Sequence, residues 1–280
     1  MYYENLNTGF VFRHNATRQY FGASLSKAVL ALMIFQMAER GEVNLNHTLV
    51  FQERHRNWGS GIINSRYPVG TRFTIRRLVA LNLYQSDNVA TLMLRDFVGI
   101  NNYRNFVRSL GDNPALVGDR IMNSTLTANE AGNFARAIHR YIASNSRYSA
   151  EFRRHLLNNQ FPFLSRLGSS YPVASKTGWT EHGASGNFLG VWHDMAIVYV
   201  PDNPFILVVM SAGRRQGHSG QDNPQNFRDF NEILRAFEQF NRTLQQQSSA
   251  GDVLLSPFRA ARDVLQQAID VPRRWLRAFE

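Results

Sequence analysis

Hydrophobic positions divide the chain into zones of different period. From Ser24 onward the residues Val29, Leu30, Leu32, Met33, Ile34 and Met37 surround a helix on most sides instead of forming one stripe. That pattern predicts a helix buried in the core, opening on Ser24 after the small-residue turn Phe21-Gly22-Ala23 and ending near Arg40, where Gly41 suits a C-cap. Ahead of it, Met1–Leu6 and Phe10–Arg13 flank Asn7-Thr8-Gly9, the pattern of a β-hairpin. Between 43 and 75 the pattern is mixed, with loop signals at Trp58-Gly59-Ser60-Gly61 and Pro68-Val69-Gly70.

Helical spacing then returns. Thr74 caps a helix carrying Leu78, Leu81 and Leu83, which stops at Tyr84-Gln85-Ser86-Asp87-Asn88. Further helices are predicted over Val89–Phe97 and Tyr103–Leu110, and from the capping box Thr127-Ala128-Asn129-Glu130 to about Ala143. Beyond these the period changes to that of strands, at Val173–Thr180, His193–Val200 and Phe205–Ala212. A last amphipathic helix, from about Asn223 to Leu244, carries Phe227, Phe230, Ile233, Leu234 and Phe237 on one face.

Together these elements predict an α+β fold, an α/β/α sandwich. A five-stranded, mostly antiparallel sheet is flanked by helices, and an all-helical part is inserted between its two halves. Residues 1–245 form the catalytic domain on this reading, with the sheet part at 1–22 and 165–245 and the helical part at 23–164. Residues 246–256 read as a polar linker. Residues 257–280 read as a basic amphipathic tail, capped by Ser256-Pro257 and carrying Arg259, Arg262, Arg273, Arg274 and Arg277. A helix docked on the domain is the plain reading of this tail. A peripheral membrane or wall-polymer contact is the sharper one.

Composition narrows the chemistry. The chain has no cysteine, which excludes thiol catalysis, disulfides and cysteine-based zinc sites. Its net charge of +10 suits an acidic surrounding, but the arginines are scattered and no nucleic-acid-binding motif accompanies them, so no nucleic-acid partner is expected. The eight histidines form no metal-ligand pattern, and no cofactor is expected. No stretch is apolar enough to span a bilayer, and Met1-Tyr2-Tyr3-Glu4 does not begin as a signal peptide does. One bias is informative. Of 31 basic residues only Lys27 and Lys176 are lysine; the other 29 are arginine. Arginine stays protonated near neutral pH whereas a buried lysine can release its proton, so these two positions read as chosen for chemistry.

Lys27 lies three residues after Ser24, and residues three apart share a helix face. A serine hydroxyl becomes a competent nucleophile when a neighbouring base takes its proton, and a lysine of lowered pKa can be that base. Ser-x-x-Lys alone recurs by chance. Here it is followed in order by Ser86-Asp87-Asn88 and Lys176-Thr177-Gly178, with 62 residues from Ser24 to Ser86 and 90 from Ser86 to Lys176. The ordered trio holds both lysines, and over roughly residues 1–245 the chain resembles the class A β-lactamases and penicillin-binding D-Ala-D-Ala peptidases.

The resemblance implies roles. Ser24 would attack an amide carbonyl and form an acyl-enzyme, with Lys27 as base or proton relay. Ser86 would pass the proton to the leaving nitrogen beside Lys176. Asn88 would bind the substrate amide while Asp87 buttresses its loop. Lys176 and Thr177 would face the substrate carboxylate, Gly178 would let the substrate lie close, and the N–H groups of Ser24 and Trp179 would form the oxyanion hole. The expected substrates are peptidoglycan peptides or β-lactams.

Two departures qualify the resemblance. Class A β-lactamases carry a Glu that activates the deacylating water. From Asn113 to Ser124 this chain has none; Asp119 is the one acid there, and Glu130 is assigned to its capping box. A long-lived acyl-enzyme follows, which favours D-Ala-D-Ala peptidase activity over β-lactam hydrolysis, with a penicillin- or peptide-sensing module as the reading outside enzymes. Family members also carry an export signal and a helix before the first strand. The resemblance therefore implies the cell envelope, and either the tail helix 257–269 covers the sheet face left bare or the natural start lies upstream of Met1.

Overall fold

The computed structural model describes residues 1–111, 125–180, 189–214 and 224–249. The chain enters as a hairpin, β1 (Tyr2–Asn5) and β2 (Val11–Arg13), then passes through the short strand β3 (Tyr20–Phe21) into the central helix α1 (Ser26–Glu39). β4 (Thr48–Val50), the single turn α2 (Ile63–Arg66) and β5 (Arg72–Thr74) lead to α3 (Ile75–Tyr84), α4 (Asn88–Val98) and α5 (Ile100–Ser109). After β6 (Thr125–Leu126) come α6 (Ala128–Ala143) and α7 (Ser149–Leu157). The chain then builds β7 (Val173–Thr180), β8 (Leu189–Val198), β9 (Phe205–Arg214) and the long helix α8 (Pro224–Ser249).

Five strands form one antiparallel sheet in the order β2-β1-β9-β8-β7. The fold is α+β, as its alternating patterns indicate. Both sheet faces are buried, which is why Phe205–Met210 reads as an unbroken apolar run instead of an alternation. Along β9 the side chains divide with period two. Ile206, Val208 and Met210 join the core that contains α1 and α6, while Phe205, Leu207 and Val209 meet Phe230, Ile233, Leu234 and Phe237 of α8. Helix α1 is buried from Ser26 through Phe35, so the absence of an apolar stripe reported its position correctly.

Local chemistry sets the element ends. Thr127 Oγ1 accepts from the Glu130 N–H at 3.2 Å while Glu130 Oε2 accepts from the Thr127 N–H at 2.7 Å, a complete capping box. A buried amide cluster clamps three elements together. Asn5 Nδ2 donates to Asn203 Oδ1 and to Asn241 Oδ1, both at 2.8 Å, and the Tyr3 hydroxyl donates to Asn241 Oδ1 at 2.7 Å. These bonds join β1, the β8–β9 turn and α8.

The structure differs from the sequence expectations at several ends. Helix α1 begins at Ser26, two residues after Ser24. Strand β8 begins at Leu189 and not His193. The short pairs β3–β6 and β4–β5, and the helix α7, carry too few periodic positions to have been read. The linker proposed for 246–256 is corrected in its first part, because α8 continues to Ser249. Glutamine is a good helix former, and no breaker occurs before Gly251. Residues 250–280, with the proposed tail helix, and Asp119 lie outside the described residues.

Candidate active site

The three motifs meet at one end of α1. Ser24 sits in the turn between β3 and α1, Ser86 and Asn88 at the junction of α3 with α4, and Lys176 to Trp179 on β7. Ser24, Ser86, Asn88, Thr177 and Trp179 line a cleft of about 810 Å³, together with Asn57, the exposed Trp58 and Asn159 to Phe161. Lys27 and Lys176 are fully buried beneath it.

Both lysines converge on one hydroxyl. Lys27 Nζ lies 3.2 Å from Ser86 Oγ, and Lys176 Nζ lies 3.0 Å from the same atom. Lys27 Nζ also donates to the Ser86 carbonyl at 2.5 Å and to Asn88 Oδ1 at 2.7 Å, and Lys176 Nζ donates to the Thr177 carbonyl at 2.8 Å. Burial disfavours the charged amine, and two ammonium groups facing one hydroxyl repel each other. Burial first, and then the charge of Lys176, hold the Lys27 pKa well below its usual 10.5, against an opposing pull from Asp87. Burial lowers Lys176 to about 7, with Asp194 acting against the shift. A neutral amine has two N–H donors and one lone pair. The two carbonyl-type acceptors occupy the donors of Lys27 and leave its lone pair for a hydroxyl proton.

The backbone is shaped to bring these groups together. Ser86 has φ +53° and Ala23, just before Ser24, has φ +46°. Non-glycine residues rarely adopt this left-handed region, and each such position stores about 1–2 kcal/mol of strain. At Ser86 the twist turns the carbonyl toward Lys27. Asp87 holds the turn in place: its carboxylate accepts from the N–H groups of Ile62, Ile63 and Ala90 at 2.7, 2.9 and 2.9 Å. Asn88 Nδ2 donates to Asn57 Oδ1 at 3.0 Å, so its oxygen faces Lys27 and its amide is already oriented. Asn82 donates to the Lys27 carbonyl at 2.9 Å and accepts from the Thr91 hydroxyl at 2.8 Å, fixing the first turn of α1.

Gly178 permits the last approach. A Cβ there would stand 2.9 Å from both the Gly22 carbonyl oxygen and the Ser24 nitrogen, so β7 runs against the Ser24 turn as closely as a glycine allows. Directly opposite Gly178 on β8 is His193, which is fully buried. Its Nε2 lies 2.9 Å from the Phe21 carbonyl, and its Nδ1 accepts from the Ser211 N–H at 3.3 Å. Burial pushes its pKa down to about 4, so the ring is a neutral Nε2–H tautomer that ties β3 to the sheet. Asp194 accepts from the N–H groups of Phe163 and Leu164, both at 2.9 Å, and burial raises its pKa to about 6.

Every motif residue chosen from the sequence lies in or beneath this cleft. The residues missed were supporting ones: Asn57, Trp58, Asn82, Asn159, His193 and Asp194. Gly59 and Gly61 marked a loop beside the cleft; nothing in the pattern marked the others, because an isolated polar residue, whether in a loop, on α3 or on β8, acquires meaning only through the neighbours the fold supplies.

Known proteins resemble this chain in sequence and in fold. The ROB-1 β-lactamases of Haemophilus influenzae and Mannheimia haemolytica are each 27% identical over 225 residues, covering 75% of this chain and 70% of theirs. A β-lactamase from Sphaerobacter thermophilus has a similar fold, with TM-score 0.69, 23% identity and coverage of 86% of this chain and 90% of its own. The fold of PBP-A is similar too, with TM-score 0.68, 19% identity and coverage of 85% and 89%. The model described as "Beta-lactamase enzyme family" matches residues 1–229, and the chain belongs to that family of serine hydrolases.

Proposed function

We propose that Ser24 is acylated by substrates of D-Ala-D-Ala type and by β-lactams, and that the natural activity is of the penicillin-binding peptidase kind. The observation that carries this is the convergence of two buried lysine amines on Ser86 Oγ at 3.2 and 3.0 Å. In this reading neutral Lys27 takes the Ser24 proton as Oγ bonds to the amide carbonyl carbon. The carbonyl oxygen becomes an oxyanion against the N–H groups of Ser24 and Trp179. Ser86 gives its own proton to the leaving nitrogen as the C–N bond breaks, and Lys27 restores it. Lys176 and Thr177 hold the substrate carboxylate, and Asn88 holds its side-chain amide. Water then cleaves the acyl ester. With no Glu between 112 and 124, that step is slow toward β-lactams. A cell-envelope location accords with such a substrate.

A second reading, β-lactam hydrolysis, has support from the ROB-1 relatives. Intact-mass measurement over time after mixing with benzylpenicillin separates the two. The peptidase reading expects a single adduct that persists for hours and is absent from Ser24→Ala. An adduct that clears while drug is consumed would establish hydrolysis instead. No adduct on the wild type would sink Ser24 acylation by β-lactams.

A further inference from the structure

One wall of the cleft is a loop. Asn57, Trp58, Gly59, Ser60, Gly61 and Ile62 line it in succession, between β4 and the single turn α2. Loops are the mobile parts of a fold, and one with two glycines keeps a fixed place when both of its ends are tied. The far end is tied to the start of α4. The Asp87 carboxylate accepts from the Ile62 and Ile63 N–H groups, and the Asn88 N–H donates to the Ser60 carbonyl at 3.0 Å. Asn88 Nδ2 also reaches Asn57 Oδ1 at 3.0 Å and the Trp58 carbonyl at 3.3 Å. The place of the loop and the orientation of the Asn88 amide are therefore set together.

The near end is tied by His55, which takes no part in the proposed chemistry. It is 4% exposed and closes the 3₁₀ turn Glu53–His55. The Gln52 side chain accepts from the His55 N–H, and His55 Nδ1 accepts from the Gln52 N–H at 3.1 Å. This is a capping box with histidine where glutamate or glutamine is usual. An accepting Nδ1 carries no hydrogen, so the ring is the neutral Nε2–H tautomer. Burial favours the same form by lowering the His55 pKa from 6.5, against the pull of Asp96. Nε2 donates to Asp96 Oδ2 at 3.2 Å. Asp96 is also on α4, eight residues past Asn88 and so about 12 Å along the axis. Arg54 and Arg95 hold its carboxylate, through Nε at 3.1 and 2.9 Å. A glutamate at position 55 could cap the turn but would bring a second carboxylate to Asp96. Histidine supplies an acceptor for the turn and a donor for α4 from one small ring.

We propose that His55 is a positioning residue for the cleft: through Gln52 and Asp96 it fixes the loop that presents Asn57 and Trp58, and with it the orientation of Asn88. Both ends of the loop are referred to one helix, so this wall and the Ser86 turn at the head of α4 hold their places together. The consequence for acylation rests on the reading of Ser24 as nucleophile; the placement of the loop does not.

Two measurements on the full chain keep these apart. Trp58 is 87% exposed, and its indole N–H resonance, assigned with Trp58→Phe, reports the loop without any reaction. His55→Ala should shift that resonance and slow benzylpenicillin adduct formation by about tenfold or more, the scale of effect expected when a binding wall is misplaced. His55→Gln keeps an acceptor and a donor, and should restore the resonance and most of the rate. Asp96→Ala leaves the buried ring in place and should act in the same direction as His55→Ala, which serves should the latter fold poorly. A Trp58 resonance unmoved by His55→Ala and Asp96→Ala would overturn the proposal. So would a rate unchanged while the resonance shifts, or a His55→Gln protein no better than His55→Ala. Absence of an adduct on the wild type would instead sink the Ser24 reading, and the Trp58 resonance would then decide the role of His55 by itself.

Discussion

Lys27 shows how a single side chain is committed to one task. Its amine is enclosed, donates to two oxygens and faces a second lysine. An arginine there would keep its charge and would not fit the same pair of acceptors. Lys27→Arg should therefore fold but lose acylation by roughly 10²–10⁴-fold, the usual contribution of a general base, measurable as the rate of penicillin adduct formation. Because the Lys27 pKa is lowered from 10.5, the wild-type rate should rise with pH and level off well short of that value. Lys176 makes a linked prediction about stability. Its folded pKa of about 7 lies below the ordinary 10.5, so between those values the unfolded chain binds the proton and the folded chain does not. Stability then rises with pH across that window, and below it the penalty of burying the charge is fully present. Lys176→Met should flatten the rise, as seen in urea midpoints at pH 7 and pH 9. Equal slopes in the two proteins would exclude a buried amine that titrates near neutrality.

At the scale of elements, the site depends on how β7, β8 and the β3–α1 turn are held against each other. Gly178 sets the approach, and His193 on the neighbouring strand bonds to the Phe21 carbonyl three residues ahead of Ser24. His193→Ala would leave that carbonyl unpaired in a buried place and open a void. A loss of about 2–4 kcal/mol in stability is expected from the two effects together, along with slower acylation of the protein that remains folded. His193→Gln retains a donor of similar reach and should recover part of the rate, which a purely space-filling role would not predict. The sequence could reveal β7 because Lys-Thr-Gly lies on it, and α1 because its apolar residues recur on every side. It could not reveal His193. A histidine within Val191–Val200 has no period of its own, and its partner Phe21 is 172 residues away. The same limit applies to the pairs β3–β6 and β4–β5, whose two or three residues carry no periodic signal.

Across the whole molecule, the sheet separates two cores, and the candidate cleft lies where the helical core meets the sheet. The sheet joins segments far apart in sequence, since β1 pairs with β9, so the site is assembled only when distant segments have met. The preference for arginine has a practical consequence at this scale. Both lysine side chains of the chain are fully enclosed in the folded state. Reagents that modify primary side-chain amines, such as succinimidyl esters, should leave both untouched in the native protein and modify them as the fold opens, because an amine must be accessible and unprotonated to react. The extent of labelling at Lys27 and Lys176, read by peptide mass, is then a direct gauge of how often the floor of the cleft is exposed to solvent. It also means that surface lysines contribute none of the adventitious penicilloyl groups that complicate adduct counting in lysine-rich proteins.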